Sequence, residues 1–236
     1  MASRLGLIHL HSSDAAAAVH RRSGLPGDVR VCRDSPAVGP WTLGSGDLAL
    51  LRAAWWGLPV SELQDLPRMR NLTRSDEPIL WFGPDPWEQA CLLWVLAELP
   101  EGLLPGLVLL HHPAARLPPT ALPHCFTGRT LLEADTLREA RSLWRVFLAE
   151  GWGALGDAQV AALPSLGPAL ARLAEDHPSA GPGRTRRQIQ ELVDQGVRDL
   201  PALMTALERM EDPRHGAWCG DLFVARMVEA MGVRIG

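Results

Sequence analysis

The segment Pro78–His112, PILWFGPDPWEQACLLWVLAELPEGLLPGLVLLHH, constrains the fold more than any other. Ile79–Phe82 form a short apolar run that Gly83-Pro84 ends. Asp85 then stands at a helix N-cap position, with Pro86 at the first helical residue and Glu88 three residues after the cap. That spacing predicts a capping box in its Asp/Glu form and a helix running to about Leu99, where Pro100-Glu101-Gly102 stops it. Leu107–Leu110 supply a second apolar run, ended by His111-His112. Strand, helix and strand at this spacing make a βαβ unit, and open sheets of this kind bind ligands beyond the carboxyl ends of their strands.

A second βαβ pattern precedes it. Leu5–Leu10 read as a strand, His11-Ser12-Ser13 as a turn, and Asp14 as the N-cap of a helix from Ala15 to about Arg22. Asp28–Cys32 read as the next strand, with Arg33-Asp34-Ser35-Pro36 at its carboxyl end. Helices over about 46–56 and 61–70 lead back to the Ile79 strand. Alternating strands and helices predict an α/β class with a mostly parallel sheet and right-handed crossovers.

Prolines at 118, 119 and 123 interrupt the pattern, and beyond about Phe126 it is helical. Helices are expected over 136–150, 157–163 and 167–176, and 178–183 as a linker. Three further helices, over 186–194, from Asp199 to Met210 and from Gly220-Asp221 to Met231, resemble a helix-turn-helix or winged-helix bundle. The expected division is an α/β domain over 1–126, a helical connector over 127–180 and a trihelical bundle over 181–236.

Composition removes several chemistries. All 23 basic residues are arginine, so a Walker-type phosphate loop and lysine Schiff-base chemistry are excluded. The glycine-rich dinucleotide fingerprint and a G-x-S-x-G elbow are also absent. A net charge of −4 gives no global attraction to nucleic acid. The bundle balances eight arginines against eight acids, with one local cluster at Arg184, Arg186 and Arg187. The four cysteines are widely spaced, which favours thiols over disulfides or a zinc ribbon. No apolar run is long enough for a bilayer span or a signal-peptide core, and a cytoplasmic location is expected.

Three short stretches, His9–Ala17 (HLHSSDAAA), Arg33–Pro40 (RDSPAVGP) and Trp81–Gln89 (WFGPDPWEQ), resemble the signatures of the bacterial domain-of-unknown-function 1835 family. The later GRTRRQIQELVDQG and the Gly220-Asp221 turn resemble the helical portion that often follows that domain. The resemblance implies an α/β domain followed by a helical one, and no established activity. Where the family has glycine and serine around its first aspartate, this chain has Ser13 and Ala15. Where the family often has Glu-His before its third aspartate, this chain has Gly83-Pro84. These departures imply that a chemistry present elsewhere is lost here while binding or structure is kept.

The candidate site residues are His9, Ser13, Asp14, Arg33, Asp34, Asp85 and Gln89, all near the expected carboxyl edge. Asp14 and Asp85 read either as paired carboxylates of a crevice or as simple helix caps. Asp34, with no helix directly after it, reads more readily as functional. His9 and His11 share a strand face and, with His111 and His112, could supply imidazoles; each also reads as a satisfied, partly buried histidine. His124-Cys125 is a lone ligand pair, and no metal site is expected. The tryptophans are spaced for core packing.

The leading expectation is a small polar or phosphorylated, nucleotide-like ligand at the sheet edge, with Arg33 the nearest cation for a phosphate. No reaction or cofactor is named. The alternative is a DNA-binding regulator or stress-response accessory acting through Arg184, Arg186 and Arg187. A protein–protein module and a homodimer remain open.

Overall fold

Strand β1 (Gly6–His11) is the hub of a five-stranded sheet. It pairs in parallel with β2 (Asp28–Val31) on one side and with β3 (Asp76–Trp81) on the other. β4 (Gly106–Leu107) continues the parallel order, and β5 (Thr130–Leu131) ends it antiparallel, giving β2-β1-β3-β4-β5. The computed structural model describes residues 6–41, 48–63, 71–73, 75–213 and 218–234.

The alternation of side chains assigns each face. His9 and His11 lie in register with Ile79 and Trp81, on the side covered by α1 (Asp14–Arg21). Ile8, Leu10, Leu80 and Phe82 point the other way and join the larger core. On that side lie α2 (Leu48–Trp56) and α3 (Pro86–Glu98). Ala90 to Leu96 of α3 are all buried. A helix apolar on every side must be covered on every side. Here the sheet covers one flank, and α5 (Ala134–Glu150) and α6 (Leu166–Ala174) cover the others.

α4 (Leu122–Thr127) packs on the α1 face, where Leu122 is fully buried. The C-terminal helices are α7 (Arg184–Asp194), α8 (Leu200–Met210) and α9 (Asp221–Ala230). The apolar core runs without a break from Ile8 and Leu80, through Leu93, Trp144 and Leu170, to Ile189, Leu203 and Val224. Trp152, just after α5, donates from Nε1 to the carbonyl of Pro36 at 2.9 Å, tying the helical half to the sheet loops.

The parallel α/β sheet agrees with the sequence reading, and several boundaries differ for identifiable reasons. The cap of α1 is Ser13, whose hydroxyl accepts from the Ala16 amide, and Asp14 is already the first helical residue. β3 starts before Pro78. Leu80 accepts from Val108 on the β4 side, and Pro78 faces the same way where β4 has not yet begun, so its missing N–H interrupts no ladder. β4 has only two residues, since Leu109 is 49% exposed and the chain has already left the sheet there. Residues 157–163, between Gly156 and Pro164, form turns and irregular backbone in place of the expected helix. The expected helix over 61–70 is a 3-10 turn at Val60–Leu63, and its remainder lies outside the described residues, as do 46 and 47 at the start of α2.

Candidate functional site

The strand order reverses direction between β1 and β3. β1 leads through α1 to β2, and β3 leads through α3 to β4, so the two helices leave on opposite faces. Their N-termini flank the carboxyl ends of β1 and β3, the position at which open α/β sheets have a crevice. The loops there are His11-Ser12-Ser13 and Phe82-Gly83-Pro84-Asp85.

At the start of α3, Asp85 caps the helix, its Oδ1 accepting from the Glu88 amide at 2.9 Å. The reciprocal half of a capping box is replaced by another arrangement. Glu88 Oε1 accepts from the Ser12 hydroxyl at 2.7 Å, and Oε2 accepts from the Gly83 amide. Glu88 therefore joins the two loops at this edge. Gln89 donates from Nε2 to the Gly83 carbonyl at 2.7 Å, while its Oε1 is buried without a donor among the described residues. A Cβ on Gly83 would stand 2.8 Å from both Glu88 Oε2 and Pro113 Cα, so only glycine fits between them. Pro113 thus closes over the edge.

The electrostatics follow from this burial. Burial first, and the Glu88 charge second, push the Asp85 carboxyl well above the ordinary range. Burial also raises Glu88, opposed by its bonds from Gly83 and Ser12. Two adjacent carboxyls that both resist ionisation favour keeping a proton on the pair. Such a pair can accept from a ligand hydroxyl and donate to a ligand oxygen.

The remaining expected residues divide into separate groups. Asp14 and Arg33 form a two-pronged ion pair at 2.8 and 3.0 Å on the surface beside α1. Asp34, read from the sequence as a candidate ligand, is held by Arg52: Nε–Oδ2 2.7 Å and Nη2–Oδ1 2.5 Å. Trp56 Nε1 and the Ser35 amide also donate to Asp34 Oδ1, both at 2.9 Å. Arg52 itself is fully buried and lies over the rings of Trp41, Trp55 and Trp56. With these partners Asp34 has a structural role, anchoring the Arg33–Gly39 loop to α2.

His9 and His11 meet a third histidine, His20 of α1, beneath the sheet. His11 Nε2 and His20 Nδ1 are 3.0 Å apart, and Trp81 donates to His9 Nδ1 at 3.0 Å. His9 Nε2 is bonded to the Pro26 carbonyl at 3.0 Å. Burial, then the neighbouring imidazoles, push His11 down to about 2 and His20 to about 4. Burial also lowers His9. His111, His112 and His124 are exposed, and among the described residues no group of three His, Cys, Asp or Glu side chains is placed to hold a metal ion. None of the four cysteines is in a disulfide.

At the C-terminal helices, Arg184 pairs with Glu175 at 2.8 Å and reaches Glu211 at 3.4 Å. Arg187 donates to the Pro182 carbonyl, and Arg186 is exposed. Glu191 and Asp194 share the shallow cavity that Arg186 and Arg187 line.

Sequence reasoning named Asp85 and Gln89 but treated Glu88 as half of a local cap, and it passed over His20 and Arg52. The buried face of α1, Ala16, Val19 and His20, follows helical spacing and carried the signal for His20. No family model, curated protein or solved structure matches the chain. No helix among the described residues is long and apolar enough to cross a membrane.

Proposed function

We propose that the protein binds a small, hydroxyl-rich, nucleoside-like ligand at the carboxyl ends of β1 and β3. The observation that carries this reading is Gln89 Oε1, buried and lacking a donor among the described residues, beside the proton-retaining Asp85–Glu88 pair. Buried polar atoms are nearly always satisfied, so an orphan acceptor at a strand-order reversal favours a donor arriving from outside. Ligand hydroxyls supply such donors, and the carboxyl pair accepts others. A phosphate on the ligand would lie away from the acidic pair and would have to compete with Asp14 for Arg33. Entry requires Pro113 to move off Gly83. A relationship to the domain-of-unknown-function 1835 family, and the division into an α/β part and a helical part, belong to the same proposal.

The test is thermal unfolding of the purified chain with ribose, adenosine and AMP. A ligand at a hundred times its Kd stabilises by about 2.7 kcal/mol. The shift should be present with adenosine, and Gln89→Met and Asp85→Asn should each reduce it while leaving a folded protein. Equal shifts in wild type and both variants would refute the reading.

A second reading uses α7, α8 and α9 as a helix-turn-helix-like DNA-binding bundle, favoured by the exposed Arg186 and Arg187 at the start of α7. It requires binding to duplex DNA that weakens steeply with salt and on replacing both arginines with alanine.

A further inference from the structure

A separate cavity lies between the loop that follows β2 and the C-terminal helices. Its volume is about 320 Å³, within the range of small-molecule clefts. Val38, Phe223 and Met227 form apolar walls, and Trp218, His177 and Arg186 also line it. The glycines of the Gly181-Pro182-Gly183 loop shape its rim. Gly181 has φ +77°, and a Cβ on Gly183 would lie 2.4 Å from the Asp176 carbonyl oxygen.

The polar groups differ in what they have left to give. Asp176 also lines the cavity but is fully engaged. Its Oδ1 accepts from the Thr185 amide at 2.6 Å, and its Oδ2 accepts from the Thr185 hydroxyl at 2.8 Å and from Arg172 at 2.9 Å. Trp218 is only 5% exposed, and its Nε1 has no acceptor among the described residues. An unsatisfied buried N–H costs about 1–3 kcal/mol unless something accepts from it. Arg186, exposed at the rim, forms no ion pair or hydrogen bond among the described residues. Burial lowers the His177 imidazole below its ordinary value despite Asp176, so it stays neutral near pH 7. Among the described residues, the lining therefore combines one buried donor without a partner, one exposed cation and an apolar body.

We infer that this cavity binds a small planar organic acid, an aromatic carboxylate, with its ring against Val38, Phe223 and Met227. Its acceptor oxygens meet Trp218 Nε1–H and the Arg186 guanidinium. This site is independent of the one at Asp85.

The experiment is calorimetric titration of the full chain with benzoate, and with benzyl alcohol as a neutral match of similar size. Benzoate is expected to bind at least tenfold more tightly than benzyl alcohol. Arg186→Ala, a surface change that leaves folding intact, should weaken benzoate about tenfold and leave benzyl alcohol unchanged. Met227→Trp should fill the cavity and abolish both, and Asp85→Asn should affect neither. Absence of benzoate binding, equal affinity for the two probes, or benzoate affinity unchanged in Arg186→Ala would overturn the assignment.

Discussion

Asp34 and Asp85 are both aspartates at the carboxyl end of a strand, and their surroundings give them opposite roles. Asp34 is ionically paired with a fully buried Arg52. Removing one partner of a buried pair leaves the other uncompensated, at a cost of about 3–5 kcal/mol. Asp34→Ala is therefore expected to lower the urea midpoint sharply; a change below 1 kcal/mol would show the pair to be dispensable. Asp85 has a carboxyl instead of a guanidinium beside it. Its folded pKa is raised above the reference value of 3.8, so above that pH the unfolded chain sheds its proton first and stability falls as pH rises towards the folded pKa. Asp85→Asn keeps a good N-cap and removes this decline. Stability measured across pH 4–8 should be flatter in the variant than in wild type, and parallel curves would contradict the shift. The contrast was hidden in the sequence because Arg52 lies eighteen residues from Asp34, whereas the Asp85-Pro86-Glu88 spacing is local and was readable.

Local signals also located the helices more securely than they assigned their ends. α1 was legible from its alanines, yet its cap is Ser13, a choice between two adjacent capping residues that only the chain direction entering the helix decides. Ser13→Ala should cost about 1 kcal/mol in chemical denaturation, and Asp14→Ala less, since its ion pair with Arg33 is exposed. α1 is also held to the sheet through the His9, His11 and His20 cluster. All three imidazoles are depressed below 6.5, so their contribution is fully present above that pH. It is lost as pH falls from 6.5 through about 4 for His20 and on towards about 2 for His11. His20→Gln should make acid unfolding shallower below pH 6.5; an unchanged acid limb would exclude His20 as a contributor. β4 and the turns at 157–163 were misread because short apolar runs look alike whether they pair, coil or lie under a neighbour.

On the scale of the molecule, α3 is the element on which both halves depend. Its all-round burial, readable as a run of apolar residues, requires cover from the sheet and from α5 and α6 together. The core continues from β1 to α9, and far-ultraviolet dichroism and tryptophan fluorescence should therefore report one coincident unfolding transition. Two separated transitions would mean that the helical half folds on its own. The sheet class and the position of its carboxyl edge were legible because strand–helix alternation is a local pattern. The reversal between β1 and β3, the Ser12–Glu88 bond across 76 residues and the closure by Pro113 depend on pairings that no local pattern specifies. The central claim is that the Asp85–Glu88–Gln89 edge is a ligand site, and its most direct test is calorimetric titration of adenosine into wild type and Gln89→Met. Saturable binding that the variant loses by tenfold or more is the predicted result. Binding of equal strength to both proteins, or no binding to either, would contradict it.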